Sequence, residues 1–79
     1  MSAETSHHKT ELHNRLGSLG WPSPVYDYGL NGNVWLCVVR INGGEFSRAD
    51  GPSRSAASEL AAKRACARLT QEGYPQRLR

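Results

Sequence analysis

Residues 46–69 read FSRADGPSRSAASELAAKRACARL, and the fold turns on this stretch. A strand runs into a glycine turn, and the turn leads into a helix whose first turn carries Ser53 and Arg54. Behind them alanine stands at 57, 61, 62 and 65. Spacings of four, one and three gather these alanines on one flank of the helix and keep that flank narrow. A narrow flank lets a helix lie close on its neighbour, here the sheet that precedes it. The open start of such a helix is a seat for an anion. Its free N–H groups and the positive end of its dipole favour negative charge, and Arg54 adds a full one.

Upstream, the pattern predicts a first helix from Lys9 or Thr10. Leu12, Leu16 and Leu19 form one apolar stripe, while Thr10 and Asn14 lie four apart on another face with His13 beside Asn14. Gly20 and Pro22 end it, and WPSP at 21–24 is an extended connector. A short strand follows from Val25 to Gly29. Asn31-Gly32 marks a two-residue hairpin turn whose central positions need φ > 0. The second strand spans Val34 to Asn42, with Trp35, Cys37, Val39 and Ile41 alternating on the core face. Gly43-Gly44 makes the next turn, and Glu45 to Arg48 a third strand with Phe46 inward. Ser53 is the N-cap of the second helix, which runs to about Gln71 and stops at Gly73, with Pro75 beyond. The expected fold is α+β, in the order α-β-β-β-α: a three-stranded antiparallel meander with both helices on one face.

Seventy-nine residues make one domain with a small core. The expected division is a disordered 1–8, a folded 9–72 and a basic tail at 73–79. The first nine residues lack the apolar run of a signal peptide, and no stretch approaches the roughly 20 apolar residues of a membrane span. An intracellular protein, cytoplasmic or nuclear, is therefore expected. Cys37 and Cys66 fall in a strand and a helix and are expected to be buried free thiols. His7, His8 and His13 come with no CxxC or HxxxH pair, so no metal site is expected. No carboxylate pair, nucleophile with base, or glycine loop for phosphate stands at useful spacing. The expectation is a protein with no catalytic residues, no cofactor, no small-molecule substrate and no membrane partner.

Charge is uneven. Residues 1–50 carry Lys9, Arg15, Arg40 and Arg48 against Glu4, Glu11, Asp27, Glu45 and Asp50, net −1. Residues 51–79 carry Arg54, Lys63, Arg64, Arg68, Arg77 and Arg79 against Glu59 and Glu72, net +4. A basic second half suits a polyanionic partner, and equally suits a solvated helix face with a basic end.

The ordered set of marks resembles the double-stranded RNA-binding domain. It comprises SPVYD at 23–27, INGGEF at 41–46, Gly51 five residues after Phe46, then Ser53 with Ala57, Ala61, Ala62 and Ala65. The resemblance covers about residues 9 to 70. It implies binding of A-form duplex by shape, across two minor grooves and the intervening phosphates. It also implies roles for three regions. At the start of the second helix, Ser53 would open a phosphate site. Arg54, Ser55 and Ser58 occupy positions where the family carries three lysines, with Lys63 or Arg64 adding longer-range attraction. On the first helix, Asn14 falls where the family often has a glutamate that meets a 2′-hydroxyl, and Thr10 and His13 share its neighbourhood. In the loop between the first two strands, Asn31 and Asn33 stand in place of the family's longer Gly-Pro-any-His loop. One cation for three, and a short loop, imply reduced affinity.

A different feature points to a protein partner. Val34, Leu36 and Val38 alternate with the core set and so face outward, where an antiparallel sheet usually carries polar residues. Three such residues suggest a patch for a partner protein or a second copy, or simply β-branched preference on a tolerated surface.

Overall fold

The computed structural model describes residues 7–73. The expectations for residues 1–6 and for the tail beyond Gly73 lie outside it. Helix α2 (Arg54–Gln71) forms where the alanine run predicts it. Ser53 is extended, and its Oγ accepts from the Ala56 N–H at 3.0 Å, which satisfies one orphan donor of the helix start. Ala57, Ala61, Ala62 and Ala65 are fully buried, together with Leu69. Gly51 shows how near the helix comes: a Cβ there would lie 3.0 Å from the Ala57 nitrogen and 3.1 Å from the Ala56 Cβ. A side chain there would require the helix start to give by a few tenths of an ångström.

Three strands precede it: β1 (Val25–Asn31), β2 (Val34–Ile41) and β3 (Gly44–Gly51), antiparallel in the order β1-β2-β3. Both turns sit one residue from where the sequence reading put them. Asn31 pairs with Val34, so the first turn is centred on Gly32-Asn33, with only Gly32 at positive φ (64°). That is the demand of a II′ turn rather than I′. The second turn is Asn42-Gly43, with φ of 57° and 85°, and Gly44 already pairs with Ile41. Two positive φ values make this the I′ class. Strand β3 also runs three residues past the expected Arg48. Val39 pairs with Ser47 and Arg40 with Glu45, leaving Phe46 as the extra residue of a bulge.

Helix α1 (His8–Leu19) starts at His8, slightly earlier than predicted. Leu12 and Leu16 are fully buried and Leu19 packs at the margin. Gly20 closes the helix at φ 74°: its N–H donates to Gly17 O, and the Trp21 N–H donates to Leu16 O, the two bonds of a Schellman motif. At its other end His7 supplies no side-chain cap. Instead Glu59 of α2 reaches across, its Oε1 accepting from the His8 N–H at 2.9 Å and the Lys9 N–H at 3.3 Å. Arg15 ties the far ends together, donating to Cys66 O and Thr70 Oγ1.

The single core joins Cys37, Val39 and Ile41 of β2 with the alanine flank of α2 and the leucines of α1. Cys37 and Cys66 are buried free thiols, and burial pushes both pKa values up. Tyr26 stands opposite Val39 on the same face. Its hydroxyl is buried with no hydrogen-bond partner, and desolvation, with Cys37 next, pushes its pKa up to about 12. Among the described residues no helix is long and apolar enough to cross a membrane.

Candidate nucleic-acid interface

The start of α2 presents two flanks. Ser55, Glu59 and Lys63 repeat every four residues and so share one side of the helix. They line an open recess whose opposite wall includes His8 at the start of α1. Ser55 and Lys63 are exposed there, while the Glu59 carboxylate is engaged by the amides of α1. Thr10, His13 and Asn14 are exposed on α1, but His8 is the α1 residue that lines the recess. The Glu59 contacts bring the start of the first helix beside the first turns of the second.

Arg54 occupies the other flank. Its guanidinium carbon lies 5.3 Å from the Trp35 ring centroid and 6.0 Å from that of Tyr28. Both distances are within reach of a cation–π attraction. Neither contact is a hydrogen bond, so holding the group this way does not consume its donors. Trp35 pairs with Leu30 on one side and Gly51 on the other. It is therefore the residue through which the β1–β2 hairpin meets the start of α2. Asn33 stands two residues before Trp35 in the chain. Asn31 ends β1 and Asn33 is in the turn, both exposed.

Ser58 is a correction. It is fully buried, and its Oγ donates to Ser55 O at 3.1 Å. Its hydroxyl offers nothing to a phosphate. Ser53 keeps its own O–H to donate while its oxygen caps the helix. Arg64 is also turned away: Nη1 donates to Arg48 O on β3 at 3.0 Å. Arg68 does the same to Phe46 O at 2.8 Å, with its guanidinium carbon 4.4 Å from the Phe46 centroid. It also pairs with Glu72. Arg40 pairs with Asp27 and Arg48 with Glu45. Lys9, Arg54 and Lys63 are the cations that show no carboxylate or carbonyl partner among the described side chains.

On the face away from the helices, Val34 is 45% exposed and Leu36 and Val38 are half-buried. Val25, 56% exposed, pairs beside them with Arg40. The Asp27–Arg40 and Glu45–Arg48 ion pairs flank this apolar strip.

Sequence reading missed the Arg54 stack, the Glu59 cap and the use of Arg64 and Arg68 on β3. The first depends on strand register, the second on how α2 packs on α1, and the third on how α2 lies across the sheet. The stripe 58, 62, 65 and 69 on α2 did carry the signal for Ser58.

No protein-family profile matches this chain, and no curated protein matches it. Among solved structures, the chain is similar to Dicer from Pichia stipitis, with a TM-score of 0.68 and 25% sequence identity over 84% of this chain. The likeness takes in 34% of that protein's chain, so this chain spans about a third of its length.

Proposed function

We propose that this is a double-stranded RNA-binding domain, a non-catalytic module that takes A-form duplex by shape and phosphate contacts, with reduced affinity. The observation that carries this reading is Arg54, exposed in the first turn of α2 and steadied by Trp35 and Tyr28. A fixed guanidinium beside free helix N–H groups is the arrangement a phosphate needs. The α-β-β-β-α order and the likeness to Dicer support an RNA-related role. Thr10, His13 and Asn14 would meet one minor groove, and Asn31 and Asn33 make short contacts in the next. Ser53, Arg54, Ser55 and Lys63 would hold the phosphates between. The affinity is held down because Ser55 adds no charge and Ser58 is buried.

The test is a titration against a duplex RNA of about 20 base pairs, longer than the roughly 16 such a domain spans, with duplex DNA as control. RNA binding that DNA does not match is expected. Arg54→Ala should weaken it about tenfold, the loss of one charge-assisted contact. Unchanged affinity in that variant would remove Arg54 from the contact surface.

A second reading rests on the outer sheet face. Val34, Leu36 and Val38, edged by two ion pairs, suit a partner protein or a second copy. Concentration-dependent association that Val34→Lys and Leu36→Lys abolish would favour it. A strict monomer indifferent to both changes would dismiss it.

A further inference from the structure

Strand β1 lies at the sheet edge that neither helix packs against closely. Tyr28 stands opposite Cys37 and Leu30 opposite Trp35. Since directly opposed residues share a face, Tyr28 and Leu30 point to the helix side of the sheet. There they are 41% and 58% exposed. The result is an open apolar shelf at the end of the hairpin, with the Arg54 guanidinium fixed at its back over Trp35 and Tyr28. The acids nearest Arg54 and Tyr28 in sequence do not neutralise it: Glu59 is taken up by the His8 and Lys9 amides. Asp27 and Asp50 stand opposite Val38 and Leu36, so both point to the other face of the sheet.

A flat ring, an apolar flank and a steadied cation match one chemical shape: a planar base joined to a phosphate. A fully paired duplex cannot fill this shelf, because its bases stack on one another and present only edges, sugars and phosphates. An unpaired nucleotide can, since every base offers a π-face. We propose that the shelf of Tyr28, Leu30 and Trp35 receives a nucleotide bulged out of an RNA duplex, the base lying on Tyr28 and its phosphate on Arg54. This rests on the duplex-RNA reading above and deepens it: the preferred ligand is an interrupted duplex rather than a perfect one.

The full chain is titrated against a duplex RNA of about 20 base pairs, and against the same duplex carrying one bulged 2-aminopurine nucleotide. The bulged duplex is expected to bind about 5- to 150-fold more tightly, the range that stacking one base supplies. The 2-aminopurine emission falls as the base stacks. Tyr28→Ala should abolish both the preference and the quenching, and Tyr28→Phe should keep both. Equal affinity for the two duplexes, or a preference that survives in Tyr28→Ala, overturns this inference while leaving duplex binding standing. Failure to bind either RNA overturns both.

Discussion

A lysine and a serine at the same position of a helix make different surfaces. Position 58 lies on the packed side of α2, four residues before Ala62 and seven before Ala65. A lysine there can run its methylenes along the apolar flank and put its charge in water. Serine has no such reach, and Ser58 folds its hydroxyl back onto Ser55 O. The resemblance to a known motif marked Ser58 as a phosphate ligand, whereas helical spacing alone places it inside. Arg54 was legible as a cation at a helix start. Its stacking was not, because Trp35 and Tyr28 come to it only through the register of β1, β2 and β3. Tyr26 carries the prediction at this scale. Its folded pKa of about 12 stands above the ordinary 10.0, so the fold favours the neutral phenol. That contribution is whole below pH 10 and is lost as pH rises towards 12. The two thiols, raised above 9.0 by burial, begin the same decline earlier. Because the Tyr26 hydroxyl has no partner, Tyr26→Phe should raise stability by about 1 kcal/mol at neutral pH. It should also flatten the alkaline loss above pH 10. Urea midpoints at neutral and alkaline pH would show it. A destabilised variant would mean that the hydroxyl is hydrogen-bonded after all.

Among the elements, the hairpins show where a sequence stops short. NGN at 31–33 and NGG at 42–44 each offer two frames for a two-residue turn. Local preference does not choose between them; cross-strand pairing does. Asn31 is kept by β1 because it continues the ladder to Val34, and Gly44 by β3 because it faces Ile41. The order of elements and the buried alanine flank were legible, because each rests on periodicity within one segment. The contact of β3 with α2 rests on Gly51, and there a methyl group would press on the Ala56 and Ala57 backbone at 3.0–3.2 Å. Gly51→Ala is expected to cost about 1–3 kcal/mol, as overpacking does, measured by chemical denaturation. Gly29→Ala, where a Cβ meets nothing within 4 Å, is the control and should change little. A Gly51→Ala domain of full stability would show that the helix start gives way freely.

Taken whole, the molecule directs most of its described cations at itself. Arg64 and Arg68 clasp carbonyls of β3, Arg15 clasps α2, and Arg40 and Arg48 pair with acids. Net charge therefore overstates what an RNA would feel, and the sequence could not show this because each clasp joins separate elements. Among the described residues Lys9, Arg54 and Lys63 are left, and for a chain ending at Gly73 the logarithm of the binding constant should fall with the logarithm of salt at a slope no steeper than about −3, near −0.9 for each phosphate neutralised. A titration series across salt concentrations reads this directly, and a slope well beyond it would bring further cations onto the RNA. The Glu59 cap has a consequence in time. A growing chain makes α1 first, yet the carboxylate that receives the His8 amide is fifty-one residues further on. A short helix with a glycine inside it and no N-terminal side-chain cap of its own is marginal in water. During synthesis α1 therefore waits, an unclosed segment, until the first third of α2 has been made, and it closes only as the domain completes itself.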